Sequence, residues 1–389
     1  MIKFLDGNKV TLLQNGADYF PALEAAIDAA VHQVYLDTYI FTNDATGQRI
    51  AGALLRAAQR GVAVRILVDG YGAHAFPSIS LQALRKAGIE ALIYRPEISP
   101  IRFQRQHLRR LHRKLAVADR KFAFVGGINI IDDIDARSKL SRFDFAVQVE
   151  GPLVAPILRE MRNLHNRVAR AQLHAPRENQ DPLSVPEAVG DTRAAFVLRS
   201  SLRHRRDIEQ AYLQAIAEAQ HEIIVANAYF LPGHRFRTAL MNAAARGVNV
   251  RLLLQGYSDH PWVHYATRGL YAQLLAAGIG IYEYQAGEMH AKAAVIDDNW
   301  ATVGSSNIDP LSLMLSREAN VVVYDRTFAQ TLAERLKTAI ENDARQITHV
   351  DWRKRAWHKR FLYRVVFSFV RVLASWVGYG MEKGKTPDE

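Results

Sequence analysis

The sequence predicts an α/β protein built from two similar lobes, each a mixed sheet flanked by helices, which are related by a pseudo-two-fold duplication. An internal repeat is the main reason for this prediction. Three segments recur in the same order 186–190 residues later: 39–41 (YIF) at 229–231 (YFL), 60–70 (RGVAVRILVDG) at 246–256 (RGVNVRLLLQG), and 87–89 (AGI) at 277–279 (AGI). One Arg-Gly-Val step would be weak, because glycine commonly ends a helix before a strand. Three matches in register indicate duplication.

The order of the predicted elements is the second reason. In the first half, helices at residues 22–31 and 48–59 alternate with apolar strands at 34–40 and 63–68, and the second half has the same order. Strands that alternate with helices of ten or more residues are typical of a sheet covered by helices.

The length and the position of the repeat set the expected boundaries. A chain of 389 residues is longer than one ordinary domain. We expect an N-terminal lobe over 1–174, a polar, Pro-containing linker over 175–191, a C-terminal lobe over 192–350 and a basic amphipathic helical tail over 351–389.

The composition restricts the function classes. Fifty Lys and Arg against 39 Asp and Glu give a net charge of +11, which favours an anionic partner: nucleic acid, an anionic membrane surface or a phosphorylated substrate. The absence of cysteine excludes disulfides, thiolate metal sites and cysteine nucleophiles. Residues 1–15 lack the apolar run of a secretory signal or a membrane-spanning segment, so we expect synthesis and retention in the cytoplasm.

Two copies of a His-x-Lys-x4-Asp motif carry the chemistry. In both copies an asparagine follows 17 residues after the histidine, at the end of a run of small residues. The residues are His112, Lys114, Asp119 and Asn129 in the first half, and His290, Lys292, Asp297 and Asn307 in the second. A single His-x-Lys pair is usually a solvated strand face, but two long motifs in duplicated halves indicate an active site.

The spacing predicts a hairpin around each motif. His and Lys two residues apart on a strand point to the same face. Corners at 119–121 and 297–299, rich in Asp and Asn, would return the chain along a second strand. We expect residue 129 to lie opposite 112 and residue 307 opposite 290, so that each asparagine returns beside its histidine.

These residue types suit a phosphodiester. Histidine can act as a nucleophile, acid or base near neutral pH, and lysine and asparagine bind non-bridging phosphate oxygens. Neither motif has the carboxylate cluster of two-metal phosphoryl transfer, so we expect neither a metal nor another cofactor. Asp144 and Glu318 each precede a strand downstream of the motif asparagine, and we expect them to orient the imidazoles.

The motifs resemble the signature of the phospholipase D superfamily, over roughly residues 20–342. The resemblance implies two phospholipase D-type lobes with the site between them and a covalent phosphohistidine on His112. It implies that His290 protonates the leaving alkoxide and later deprotonates the acceptor alcohol, while the motif lysines and asparagines hold phosphoryl oxygens. Asp119 and Asp297 are carried over as motif members, although their turn positions suggest support of the site.

Within the superfamily the chain is most similar to bacterial cardiolipin synthases of the shorter, type B-like group. Residues 37–41 (DTYIF), 301–312 (ATVGSSNIDPLS) and 318–320 (EAN) carry this resemblance. It implies transfer of a phosphatidyl group between two phosphatidylglycerol molecules, with release of glycerol. Many cardiolipin synthases have two N-terminal transmembrane helices that this sequence lacks, so membrane contact would come from elsewhere.

The sequence of the tail predicts a contact with a membrane. Between Trp352 and Val377 there are seven Lys or Arg, no acidic residue and several interleaved aromatic residues. At 100° per residue, four of the arginines fall within about 40° on an otherwise apolar helix. This pattern favours a helix lying in an anionic membrane interface; a core helix or a dimer contact is the alternative. A second basic run, at 102–114, would attract anionic headgroups or be a solvated face.

The sequence is also compatible with three other functions: cleavage of nucleic acid, hydrolysis of a lipid with release of phosphatidic acid, and phosphatidyl transfer to another alcohol. Nucleic acid is disfavoured as a partner, because no nucleic-acid-binding module is recognised. We expect an anionic phospholipid, phosphatidylglycerol, as substrate and a peripheral location on the cytoplasmic side of the cell inner membrane. The sequence does not predict an oligomeric state.

Overall fold

The protein is described by a computed structural model over residues 2–72, 78–95, 110–134, 140–173, 185–199, 204–257, 261–309 and 316–382. Most of the expected linker, residues 175–184, and most of the basic run at 102–114 lie outside these ranges.

The N-terminal lobe contains eight strands and four helices among its described residues. They are β1 (Leu5–Gln14), α1 (Asn15–Asp28), β2 (Gln33–Thr38), α2 (Ala45–Gln59), β3 (Ala63–Asp69), α3 (Ser78–Lys86), β4 (Glu90–Tyr94), β5 (Arg110–Leu111), β6 (Lys114–Ala118), β7 (Phe122–Gly126), β8 (Phe145–Glu150) and α4 (Val154–Ala171).

The C-terminal lobe repeats this order and is followed by two more helices. Its elements are β9 (Thr192–Arg199), α5 (Asp207–Glu218), β10 (Glu222–Asn227), α6 (His234–Ala245), β11 (Asn249–Gln255), α7 (Pro261–Arg268), α8 (Tyr271–Ala276), β12 (Gly280–Tyr284), β13 (Lys292–Ile296), β14 (Trp300–Gly304), β15 (Ser316–Tyr324), α9 (Arg326–Asn342) and β16 (Ala344–Ile347). The helices α10 (His349–Lys354) and α11 (Trp357–Glu382) form the tail.

The strands form one mixed sheet that runs through both lobes, in the order β16-β12-β11-β10-β13-β14-β15-β9-β1-β8-β7-β6-β2-β3-β4. In each half, three strands pair in parallel (β2-β3-β4 and β10-β11-β12) and the motif hairpin pairs antiparallel with the first of them. The halves join where β1 pairs with β9. The predicted fold class, two similar lobes with mixed sheets flanked by helices, is confirmed.

Three large apolar clusters and a fourth of seven residues hold the helices on the sheet. One lies in the N-terminal lobe beneath α1 and α2, and one lies in the C-terminal lobe beneath α5, α6 and the tail. The third contains residues of α4, α9 and strands of both lobes, such as Val147 and Val303. Burial of this shared cluster stabilises the two lobes against each other as well as individually.

Most expected elements agree with the structure within a few residues, with one clear exception. The expected helix start at residue 22 is wrong, because α1 begins at Asn15. Its first two turns bury Tyr19 and Phe20, which are 3% and 4% exposed, and Pro21 does not end the helix. Burial of these two aromatic rings outweighs the local effect of proline.

The motif hairpins form as expected, but their predicted register is wrong by one residue. Lys114 pairs with Gly126 and Ala293 pairs with Val303, so that each corner has three residues and is centred on residue 120 or 298. Continued outward, these ladders put residue 128 opposite 112 and 306 opposite 290. Asp119 and Asp297 adopt φ of 48°, a left-handed conformation that aspartate tolerates better than most other residues.

We expect Gly126→Ala to lower the free energy of unfolding by roughly 1–3 kcal/mol, because the new methyl group would overpack the sheet. A Cβ there would lie 2.5 Å from the Cα of Ala146 and 2.7 Å from the carbonyl oxygen of Phe145. Gly52→Ala is the control: its nearest neighbour in α2 is 3.6 Å away, and the change should stabilise the helix by about 0.5–1 kcal/mol. Urea denaturation measures both, and equal effects would contradict this account.

Candidate active site

The two motif histidines meet at one open cavity of about 390 Å³. Both lobes line it. The lining residues are Tyr39, Ile40, Tyr71, His112, Ile128, Asn129, Ile131, Asp133, Arg142, Asp144, Tyr229, Glu288 and His290. The duplication therefore builds one site from two copies of the motif.

Each histidine is held by a carboxylate of the opposite lobe. His112 Nδ1 lies 3.0 Å from an oxygen of Glu318, and His290 Nδ1 lies 2.7 Å from Oδ2 of Asp144. The structure thus places both expected orienting carboxylates against imidazoles, and each pair crosses the lobe boundary. Because each carboxylate accepts a hydrogen bond from the Nδ1–H group, the Nε2 atom of each ring is left for a substrate.

The backbone repeats this crossed arrangement. The amide of His112 donates to the carbonyl of Arg317 at 3.1 Å, and the amide of His290 donates to the carbonyl of Phe143 at 2.9 Å. Arg317 and Phe143 immediately precede the orienting carboxylates. Each histidine is therefore positioned by main-chain and side-chain bonds to the same short segment of the other lobe.

The motif lysines lie close to the histidines and are nearly fully buried. Lys114 Nζ donates to the carbonyl oxygen of His112 at 2.7 Å, and Lys292 donates to that of His290. Burial and the neighbouring Lys292 lower the pKa of Lys114 to about 7, and burial lowers the pKa of Lys292 in the same direction. An anionic phosphate in the cavity would favour the charged form of both lysines.

The two motif asparagines have different surroundings. Asn129 lines the cavity, and its Oδ1 accepts a bond from the amide of Ile40 at 3.2 Å. Asn307 is 3% exposed, and its Oδ1 lacks a hydrogen-bond partner. It borders a separate small void of about 20 Å³ beside Arg199. This oxygen needs a hydrogen-bond donor, whereas the side-chain amide nitrogen is the atom of Asn307 that can donate to a phosphate oxygen.

The motif aspartates lie at the far ends of their strands, away from the imidazoles. Asp119 accepts the backbone amides of residues 31–33 at 2.5–2.8 Å. Asp297 accepts those of residues 220–222 at 2.8–3.0 Å. Both carboxylates therefore hold a helix-to-strand connection against the hairpin corner.

The comparison with known proteins agrees with this geometry. The family described as "Cardiolipin synthase, PLD-like domain" matches residues 23–165 and 212–340. The chain belongs to this family. Cardiolipin synthase B of Salmonella typhi is 40% identical over 96% of this chain and 90% of its own length, and that of Escherichia coli K12 is 39% identical over the same shares. The resemblance inferred from the motifs is confirmed.

A solved structure shows the same fold at much lower identity. The phosphatidylserine synthase of Haemophilus influenzae superposes with a TM-score of 0.68 at 12% identity, covering 96% of both chains. The two-lobed architecture of this cardiolipin synthase family is therefore shared with a distant protein of similar length.

The electrostatics of the two His–carboxylate pairs differ in this family member. Burial tends to raise the pKa of Glu318, but the charges of His112, Arg199 and Lys114 outweigh it and lower that pKa to about 2. Arg199 Nη2 lies 3.6 Å from Glu318, and the hydroxyl of Ser305 donates to it at 2.5 Å. Glu318 is therefore firmly ionised.

Among the described residues, no arginine lies against Asp144 as Arg199 lies against Glu318. Burial raises the pKa of Asp144 to about 6, and burial with Lys292 and Lys114 lowers the pKa of His290 well below its ordinary value. The carboxylate of Asp144 is thus more easily protonated than that of Glu318. The sequence analysis did not identify Ser305 or Arg199 as site residues. Ser305 belongs to the run of small residues before Asn307, but no sequence pattern indicates Arg199.

We expect the Asp144→Asn variant to gain stability relative to wild type as the pH rises. A carboxyl whose folded pKa of about 6 exceeds its unfolded value stabilises the fold below about pH 4, and this contribution is lost as the pH rises through 6. Between pH 4.5 and 7 the difference should change by about 2 kcal/mol in favour of the variant.

Glu318→Gln is the matched control. Its folded pKa of about 2 lies below the unfolded value, so its contribution is present above about pH 4.5 and is lost only in stronger acid. The stability of this variant relative to wild type should change little between pH 4.5 and 7. Urea titrations at both pH values measure these differences in stability. An identical pH response of both variants would contradict the assigned difference between the pKa values of Asp144 and Glu318.

Proposed function

We propose that this protein is a phosphatidyltransferase that makes cardiolipin from two phosphatidylglycerol molecules and releases glycerol. The observation that carries the proposal is the pair of crossed His–carboxylate contacts at one cavity, in a chain 40% identical to a cardiolipin synthase B. Two imidazoles with free Nε2 atoms provide a nucleophile and a separate acid-base group.

In the first step, His112 Nε2 attacks the phosphorus of the headgroup phosphodiester. The bond from phosphorus to the glycerol headgroup oxygen breaks, and the leaving oxygen takes a proton from Nε2 of His290. Glycerol leaves, and a phosphatidyl group remains bonded to His112.

In the second step, the headgroup hydroxyl of another phosphatidylglycerol gives its proton to His290. The resulting oxygen attacks phosphorus, the phosphorus–nitrogen bond breaks, and cardiolipin is formed with His112 restored. Lys114, Lys292, Asn129 and Asn307 would bind the non-bridging oxygens in both steps. We assign Asp119 and Asp297 to support of the hairpin corners.

The electrostatic asymmetry favours His112 as the nucleophile. A phosphohistidine carries positive charge on its ring, and the firmly ionised Glu318 would stabilise it. His290 must give a proton and later take one, and Asp144, whose pKa burial raises to about 6, can exchange a proton with it near neutral pH.

We propose that α11 docks the protein on its membrane substrate. Tyr363 and Val366 are buried against the C-terminal lobe, whereas the opposite face exposes a stripe of large apolar side chains. These are Trp357, Phe361, Leu362, Val365, Phe369 and Val372, each 45% exposed or more. At 100° per residue they span about 140° of the helix surface, and Arg360 and Arg364 lie at one edge.

This arrangement fits a helix in an anionic interface, with apolar side chains among the acyl chains and arginines at the headgroups. Among the described residues, the structure contains no helix both long and apolar enough to cross a bilayer. We accordingly propose peripheral attachment to the cytoplasmic side of the cell inner membrane, with phosphatidylglycerol as substrate.

We expect purified protein to convert phosphatidylglycerol in liposomes to cardiolipin and equimolar glycerol, and His112→Ala to lower the rate at least about 10³-fold. Mass spectrometry of the lipids and an assay of glycerol measure both products. Phosphatidic acid as the sole lipid product would replace the proposal with a hydrolase. Cleavage of single-stranded DNA without lipid turnover would replace it with a nuclease.

We expect the Phe361→Ser/Phe369→Ser variant to bind phosphatidylglycerol liposomes about tenfold more weakly or worse, because two apolar side chains leave the interface. Val31→Ser, which changes a residue 68% exposed on the other lobe, should bind as wild type does. Cosedimentation measures the affinity. Equal binding by all three proteins would reject α11 as the docking element.

A further inference from the structure

Behind His112, on the other face of its strand, the N-terminal lobe buries a network of ion pairs. Arg113, whose side chain is fully buried, donates from Nε and Nη2 to Asp37 Oδ2 at 3.0 and 2.8 Å. Its Nη1 donates to Glu160 of α4 at 3.0 Å. The second oxygen of Asp37 lies 2.8 Å from Nε2 of His165, also on α4.

This network reaches both members of the His112–Glu318 pair. Arg113 follows His112 in the chain, and Arg317 precedes Glu318. Glu160 lies between the two arginines, with Oε1 4.0 Å from Nη1 of Arg317. The Nε of Arg317 also donates to the hydroxyl of Tyr94 at 3.1 Å. The backs of two strands from different lobes are thereby linked through α4.

In the part of the chain that the structure describes, the equivalent layer behind His290 has no such charges. The strand registers relate Asp37 to Ala226, Arg113 to Ala291 and Arg317 to Phe143. Phe143 stacks on Tyr284 with ring centroids 5.2 Å apart. Ala226, Ala291 and Phe143 belong to the shared apolar cluster, together with Leu332 and Leu336 of α9. The same structural position is ionic in one half and apolar in the other.

Stability does not explain this difference. Burial of ion pairs carries a large desolvation cost, and well-packed apolar replacements are often neutral or stabilising. The C-terminal lobe shows that the fold accepts the apolar solution. The two carboxylates and two guanidiniums also sum to zero formal charge, and none of them is among the main causes of the lowered pKa of His112. The remaining explanation for the ionic layer is geometric. A guanidinium that is hydrogen-bonded at several points fixes the rotation and the register of its strand.

We propose that Asp37, Arg113, Glu160 and Arg317 form a positioning network that holds His112 against Glu318 across the lobe boundary in the orientation needed for attack on phosphorus. These are positioning residues, since they act through His112 and Glu318. The rate measurements below rest on the proposed function, whereas the spectroscopic measurement does not.

The test replaces the ionic layer by an apolar one. Asp37→Ala and Arg113→Ala reproduce the alanines of the other lobe, and His165→Leu in the same variant avoids a buried imidazole without its partner. We expect this triple variant to fold, to keep KM for phosphatidylglycerol within twofold and to lose at least tenfold in kcat for glycerol release. Arg113→Lys keeps the charge but not the two-point contact, and its kcat should lie between those of the triple variant and wild type.

A second buried ion pair of the same lobe provides the control. Arg65 and Glu90 join β3 to β4 at 3.1 Å, away from the cavity. The Arg65→Met/Glu90→Gln variant should retain the kcat of wild type. A similar loss of kcat in this control would mean that any buried ion pair of the lobe matters, and would overturn the proposal.

An activity-independent signal completes the test. With ¹⁵N-labelled histidine, the Nδ1 proton of His112 should give a downfield resonance in wild type, assigned through His112→Ala. We expect it to broaden or shift in the triple variant, while the His290 resonance persists. An unchanged resonance in the folded triple variant would reject the positioning network. Absence of lipid turnover by wild type would instead reject the proposed function.

Discussion

Each motif histidine donates from Nδ1 to a carboxylate that belongs to the other lobe, and the rest of the site depends on this exchange. Neither half of the duplicated chain can orient its own imidazole. The pairing of β1 with β9 and the shared apolar cluster hold the halves together, so that Glu318 comes within 3.0 Å of His112. The cavity, the lysines and the asparagines acquire their relative positions from the same association.

The duplication is symmetric in its backbone and asymmetric in its charges. Both histidines make the same main-chain and side-chain contacts. Among the described residues, however, Arg199 and Ser305 lie at Glu318 and not at Asp144, and the ionic layer lies behind His112 and not behind His290. A site with equivalent histidines would bind a phosphodiester equally well in either orientation. In the mechanism that we propose, the different surroundings suit one ring to covalent bonding and the other to proton exchange.

Much of the fold and part of the site could be predicted from local patterns. Repeated segments, alternating helices and strands, and the two motifs are defined by the spacing of residues along the chain, which folding does not change. The predictions were wrong where tertiary packing determines the structure. The helix α1 begins seven residues before the expected start because Tyr19 and Phe20 are buried. The hairpin ladders are shifted by one residue because each three-residue corner is centred on one residue. Arg199 and the network around Arg113 gave no pattern, because their partners are distant in sequence.

The sequence by itself determined that this chain is a duplicated α/β protein with two His-x-Lys-x4-Asp motifs, and that Asp144 and Glu318 were available to orient the histidines. Only the tertiary structure decided which carboxylate meets which histidine, since nothing in the spacing of Asp144 and Glu318 distinguishes a partner in the same lobe from one across the boundary. The difference in proton affinity between the pairs was decided there too, because a pKa depends on burial and on charges brought close by folding.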